Sequence, residues 1–236
     1  MNEILLKQVN EEFIDLSKSE KLVNHYNKLN SYTKYIIDVE INSGIYEDEI
    51  LSKLLNKDAI VIDAGANVGL FALHVLPYCK KIHCIEPTPS HFIVLSDVAA
   101  EYGKEVIECH EVALNYYDGN CHFSEIETNT TENKISSIET GIQVKCETLK
   151  TFLANTNIEK VDLLKLDIEG AEGDLLFRDP TIDQIIKDKC SAIYIECHSV
   201  AIEMAIIQKF QIMGFQWFRA NRSSSHYFVN TDLEGK

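Results

Sequence analysis

The stretch Ala59-Ile-Val-Ile-Asp-Ala-Gly-Ala-Asn-Val-Gly-Leu-Phe-Ala-Leu-His74 decides the fold. Ala59 to Ile62 is an apolar run rich in β-branched residues, which reads as a buried strand of a parallel sheet. Asp63 stands at the strand's C-terminal end. Gly65, Asn67 and Gly69 make a small-residue turn, and Leu70, Phe71, Leu73 and Val75 open a helix. In open α/β sheets ligands bind beyond the carboxyl ends of the strands. Glycine carries no Cβ, so backbone can come close to a ligand there.

Asp63 narrows the kind of ligand, because a carboxylate repels phosphate. The spacing Gly65-x-x-x-Gly69 is not the dinucleotide fingerprint, and no Gly-Lys-Ser/Thr follows, which argues against a Walker loop. An aspartate beside glycine amides suits a ligand with an ammonium group and hydroxyls but no phosphate. S-adenosylmethionine has that chemistry. A tight strand-to-helix turn in another kind of α/β protein is the competing reading of this loop alone.

The 236 residues accommodate one α/β domain with a sizeable core and an extension, and the hydrophobic content of 45% suits a soluble globular chain. The formal net charge of −15 opposes nucleic acid and anionic membrane surfaces as partners. Met1-Asn-Glu-Ile-Leu-Leu-Lys7 lacks a signal-peptide layout and no apolar run is long enough to span a bilayer, so a cytoplasmic protein is expected. The seven cysteines are odd in number and form no Cys-x-x-Cys, so they read as buried thiols.

Residues 1–57 carry apolar positions at roughly helical spacing, Ile4, Leu5, Val9, Phe13 and Leu16, then Leu22, Val23, Tyr26 and Leu29. They read as a helical extension, interrupted at Ser17–Glu20 or Asn30-Ser31, with a further helix from Glu47 to Asn56. The extension lids the site, caps the domain or forms a homodimer surface. Residues 58–236 read as the main domain, in which strands and helices alternate as in a parallel sheet covered on both faces. Further strands are expected at Lys81–Ile85, Glu105–His110, Val161–Leu166 and Ser191–Ile195, and a helix at Val200–Met213. Asp118-Gly119 reads as a hairpin turn between two short strands, and Thr128–Asn133 as a mobile loop. The chain ends in a strand pair, Phe215–Phe218 with His226–Val229. Four strands end in acids, Asp63, Glu86, Asp167 and Glu196. Four acids along one sheet edge call for cationic or hydroxyl-bearing partners.

Five elements occur in order: Val61-Ile-Asp-Ala-Gly-Ala-Asn-Val-Gly69, Cys84-Ile-Glu-Pro-Thr-Pro89, Glu111-Val-Ala-Leu114, Val161-Asp-Leu-Leu-Lys-Leu-Asp-Ile-Glu-Gly-Ala-Glu172 and Ile195-Glu-Cys-His198. Together they resemble the FkbM family of S-adenosylmethionine-dependent methyltransferases over about residues 58 to 230. The resemblance implies a class I methyltransferase fold, a Rossmann-like, seven-stranded, mostly parallel α/β sheet whose last strand runs antiparallel. It implies cofactor-binding roles for Asp63, Gly65, Asn67, Gly69, Glu86, Pro87, Val112, Ala113 and Asp167. Within that set Glu86 accepts hydrogen bonds from the ribose hydroxyls, Val112 and Ala113 flank the adenine, and Asp167 faces the methionine ammonium or the sulfonium.

Methyl transfer to a neutral hydroxyl needs a base or a metal that lowers the hydroxyl's pKa. His198 is the candidate base, with a surface or helix-capping histidine as the competing reading. Lys165, Asp167 and Glu169 share a strand end and are expected to form a buried ion network. Glu169 with Glu196 or His198 could hold a divalent cation, although no ligand spacing demands one. The expected reaction is O-methylation of a small molecule or glycan, with N- or carboxyl-methylation, or cofactor binding without catalysis, as the alternatives.

Overall fold

The computed structural model describes residues 6–9, 12–31, 34–35, 37–38, 46, 48–124, 134–136, 142–221 and 224–233. The expected loop at Thr128–Asn133 lies outside them. A seven-stranded sheet organises the chain. Its strands are β3 (Ile60–Ala64), β4 (Lys81–Ile85), β5 (Ile107–His110), β10 (Val161–Leu166), β11 (Cys190–Glu196), β12 (Phe215–Arg219) and β13 (Ser225–Asn230). The spatial order is β12-β13-β11-β10-β3-β4-β5. The pairs from β5 across to β11 are parallel, and β13, the last in the chain, runs antiparallel to β11 and β12. From β3 the chain builds outward through β4 to β5, then returns to lay β10 on the other side of β3. The switch in direction between β3 and β10 is where such sheets bind ligands.

Both faces of the sheet are covered, which is why its strands are apolar runs rather than alternating ones. Val61, Leu163, Tyr194 and Tyr227 face a core shared with the helices Glu20–Lys28, Asp48–Leu54, Leu70–Val75 and Pro89–Val98. Ile62, Leu164, Ile193 and Phe228 face the opposite core, under Leu149–Asn155, Glu172–Arg178, Ile182–Lys189 and Val200–Ile212.

The N-terminal region departs from the all-helical expectation. It opens with an antiparallel pair, β1 (Leu6–Val9) and β2 (Glu12–Asp15), in register Val9↔Glu12. Short apolar runs separated by polar residues do not discriminate helix from strand, and Val9, Phe13 and Ile14 have branched or aromatic side chains that favour strands. The helices Glu20–Lys28 and Asp48–Leu54, among the described residues, follow the helical reading. Ser19 caps the helix Glu20–Lys28 by accepting the Leu22 N–H at 3.2 Å. Its hydroxyl also donates to Asp97 at 2.6 Å, tying the extension to the helix Pro89–Val98. Leu22, Leu51 and Leu55 are buried in the sheet's own core.

A second sheet, in the order β6-β9-β7-β8, holds β6 (Ala113–Leu114), β7 (Gly119–Ser124), β8 (Lys134–Ser136) and β9 (Ile142–Glu147). Asp118-Gly119 is therefore not a hairpin tip. Gly119 starts β7 opposite Cys146 of β9. The Asp118 carboxylate instead accepts the Thr148 N–H at 2.7 Å and the Thr151 hydroxyl at 2.8 Å, where the helix Leu149–Asn155 begins. An aspartate satisfies a helix start as readily as a turn, and the two uses look alike in sequence.

Among the described residues no helix is long and apolar enough to cross a membrane.

Candidate active site

The register of β3 against β10 sets Asp63 beside Lys165. Both are closed to solvent, at 0% and 2% exposure. Lys165 Nζ lies 3.1 Å from Asp63 Oδ1 and 3.2 Å from Asp167 Oδ2, and donates to the Gly65 carbonyl at 3.3 Å. Phe71 covers the ammonium at 5.5 Å from the ring centre. Burial opposes the Lys165 charge, but Asp167 and Asp63 outweigh it and hold the amine above its ordinary range. Burial pushes Asp63 up and Lys165 pulls it back. A protonated ammonium 3.1 Å away favours the ionised pair. One buried cation thus pins the glycine turn, the end of β3 and the start of the β10 loop together.

The turn itself leaves no room for side chains. Gly65 has φ +79°, and a Cβ there would stand 1.7 Å from the Asp167 carbonyl oxygen. Gly65 and Ala66 both donate to the Ile85 carbonyl at 3.0 Å, which draws the turn toward the end of β4. Gly69, at φ +90°, precedes the helix Leu70–Val75.

Glu86 follows β4 and is 4% exposed. Its two oxygens accept the Asn67 N–H at 2.9 Å and the Thr88 N–H at 2.8 Å, and His91 Nδ1 lies 3.7 Å away. Burial would raise the carboxyl, yet the His91 and Thr88 interactions prevail and hold it below its ordinary range. Glu86 is therefore an anion, and Oε2, which accepts only the Asn67 N–H among these contacts, has a lone pair for a second donor. Asn67 Oδ1 and Thr88 Oγ1 are buried with no hydrogen-bond partner. A charged acceptor and two orphaned oxygens around one turn fit the hydroxyls and amines of an adenosine ligand, and S-adenosylmethionine carries both. Pro87 is buried beside Glu86. Val112 and Ala113, also buried, come just after His110, whose carbonyl accepts the N–H groups of Glu86 at 3.1 Å and Val112 at 3.0 Å.

The loop after β10 brings the remaining candidates together. His198 Nδ1 is 3.0 Å from Glu172 Oε1, and its Nε2 is 3.4 Å from Glu169 Oε2 and 3.7 Å from Asp167 Oδ1. Glu172 is 1% exposed and accepts the N–H groups of Ile168 at 3.0 Å and Gly170 at 3.3 Å through the same oxygen. Glu169 and Gly170 turn back in left-handed conformations, φ +53° and +96°. Burial would lower the His198 imidazole, but the Glu172 hydrogen bond and the charges of Glu172, Glu169 and Asp167 raise it to about 9. Burial and then Asp167 raise Glu169 to about 8. Asp167, Glu169 and His198 also form a donor set whose ligand atoms lie within 4.8 Å of one another.

Asp63 and Lys165 are closed to solvent, and Lys165 reaches Asp63, Asp167 and the Gly65 carbonyl, the Lys165–Asp167 part of the expected ion network. One expectation changes on this geometry. Glu169 is not part of the Lys165 network; its contact is His198, because the left-handed turn at Glu169 carries the side chain away from β10. His198 is an exposed residue whose ring, 27% exposed, is flanked by the carboxylates of Glu172, Glu169 and Asp167. Two residues gained no role from the sequence. Glu172 orients His198, and its signal was an acid in the first helical turn after Ile-Glu-Gly-Ala. His91 braces Glu86, and its signal was a histidine one turn after Pro87-Thr-Pro89.

The sheet order, the antiparallel last strand and the acids at the switch point define a class I methyltransferase fold with a candidate S-adenosylmethionine site. Residues 63–217 match the methyltransferase FkbM domain, and the chain belongs to that family. It is 26% identical over 143 residues to Methyltransferase 1 of Beauveria bassiana, covering 50% of this chain and 57% of that one. A crystal structure of methyltransferase FkbM from Methylobacillus flagellatus superposes with a TM-score of 0.55 at 11% identity, over 89% of this chain and 58% of the other. The chain thus spans less than two thirds of the length of these two relatives. The N-terminal domain of human METTL16, solved in complex with SAH, shares the fold with a TM-score of 0.50 at 11% identity, over 83% and 71% of the two chains.

Proposed function

We propose that the protein transfers the methyl group of S-adenosylmethionine to a hydroxyl of a small molecule or a sugar. The observation that carries this reading is the caged imidazole of His198. Glu172 accepts a hydrogen bond from Nδ1–H and leaves Nε2 directed at Asp167 and Glu169 on the half-open side of the cluster, where the His198 side chain is 27% exposed. S-adenosylmethionine, when bound, supplies an electrophilic methyl on a cationic sulfur. A new O–CH3 bond forms as the S–CH3 bond breaks, and the hydroxyl proton must go to the protein. His198 Nε2 takes it.

With an affinity for protons near pH 9, His198 rests as the imidazolium and must release its proton first. A cation bound beside Asp167 opposes the imidazolium and favours that release. Glu86 would hold the ribose, and Lys165 with Asp63 keeps the turn in place. In place of that base role, His198 with Asp167 and Glu169 would hold a divalent cation, which would supply Lewis-acid activation of the hydroxyl.

Turnover on a panel of hydroxyl acceptors tests the reading. Activity is expected to rise with pH up to about 9, and His198→Ala to cost about a hundredfold or more. Full activity in His198→Ala, or methylation confined to amines and carboxylates, would overturn it. Loss of activity with a chelator, restored by Mg2+ or Mn2+, would assign the activation to the cation instead.

A further inference from the structure

A second cluster of histidines lies away from this site, on the outer strands of the sheet. His83 is on β4 and His110 ends β5, and the register pairs His83 with Glu108 and Ile85 with His110. The two imidazoles stack at 24° with centroids 5.3 Å apart, and Phe152 packs edge-on against both. His83 Nδ1 is 3.1 Å from His110 Nε2, and Glu108 Oε1 is 3.7 Å from the same His110 nitrogen. One ligand atom from each of the three residues lies within 4.8 Å of the others.

We propose that His83, His110 and Glu108 form a binding site for a divalent transition-metal ion, with Zn2+ as the type ion. Two nitrogens bound at about 2.0–2.1 Å to a tetrahedral ion stand about 3.3 Å apart, so the observed pair needs little movement. Two imidazoles and one carboxylate select a borderline ion over Mg2+ or Ca2+, whose sites are built from oxygen. The entry path lies on the Glu108 side, where that side chain is 47% exposed and His110 17%. Lys81 holds the other Glu108 oxygen at 2.9 Å and is the competing cation. The ion would clamp the middle of β4 to the end of β5. The His110 carbonyl there carries the N–H groups of Glu86 and Val112, so the clamp would stiffen the adenosine half of the site.

Zn2+ titration by calorimetry, on metal-stripped full-length protein carrying His198→Ala, isolates this cluster from the other histidine-containing one. One Zn2+ per chain is expected, and at least tenfold weaker binding when His110→Asn is added. Glu108→Gln, at a half-exposed carboxylate, provides a variant that folds independently of the buried pair, and it too is expected to weaken Zn2+ severalfold. Co2+ in place of Zn2+ should give the visible bands of four- or five-coordinate nitrogen and oxygen ligation. No Zn2+ bound by the His198→Ala protein would overturn the site. So would unchanged affinity in Glu108→Gln, or a near-ultraviolet thiolate-to-cobalt band.

Discussion

Glu172 determines what His198 can do. It supplies the hydrogen bond that first opposes burial at the imidazole, and it is itself held by two backbone N–H groups. Glu172→Gln keeps the shape and removes the charge. The pH at which methyl transfer reaches half its plateau should fall below that of the unmodified protein, with a lower plateau because a weaker base takes the proton. A pH–rate profile checks this; an unchanged profile would separate Glu172 from the chemistry. Lys165 is the second residue whose removal is diagnostic. Lys165→Met strands the Asp63 carboxylate at 0% exposure, and breaking such a pair costs about 3–5 kcal/mol. Adding Asp63→Asn removes the stranded charge, so the double variant should be more stable than Lys165→Met alone in denaturant unfolding. Gly65→Ala should not give a native fold, because its Cβ would meet the Asp167 carbonyl at 1.7 Å.

At the scale of elements, the parallel strands were the most legible part of the chain. Lys81–Ile85 and Val161–Leu166 are short, mostly apolar runs each followed by an acid, and both strands have those limits. Buried parallel strands must be apolar on both faces, so their pattern has few rivals. The β1–β2 pair was not legible, since two short runs with apolar residues on either side of a polar break fit a helix equally well. Nor was the second sheet. Its parallel β6–β9 pairing joins residues about thirty apart, and no local signal announces such a contact. The same division holds in the site. Asp63, Glu86, Asp167 and the buried Lys165–Asp167 pair could be placed from strand ends and strand alternation, whereas the Lys165–Asp63 and Glu169–His198 contacts depend on register and on a left-handed residue. The extension's packing yields its own prediction. Leu51 is fully buried in the core shared with the sheet, so Leu51→Ala should cost about 2–5 kcal/mol. A cost near zero in thermal or denaturant unfolding would mean that the extension is not part of the folding unit.

The whole molecule is acidic, with a net charge of −15, and it concentrates carboxylates at the cofactor edge. His198 and Glu169 both bind protons more tightly in the folded protein, at about 9 and about 8, than in the unfolded chain. Their contribution to stability is complete below their unfolded values and is lost as pH rises through the folded ones. The ligand-free protein should therefore lose stability between about pH 6.5 and 9 through His198, with a smaller slope in Glu169→Gln as its partner contribution from lower pH is removed. Melting temperatures across that range check the sign. A cationic ligand beside Asp167 should flatten the same slope.

The turn after β3 and the acid after β4 are expected to grip a phosphate-free adenosine compound. Titration calorimetry of S-adenosylmethionine into the unmodified protein and into Glu86→Gln tests it most directly. One molecule should bind per chain, with affinity at least about tenfold weaker in the variant, the loss expected when hydrogen bonds to a charged acceptor become neutral ones. No binding to the unmodified protein, or equal affinity in Glu86→Gln, would contradict it.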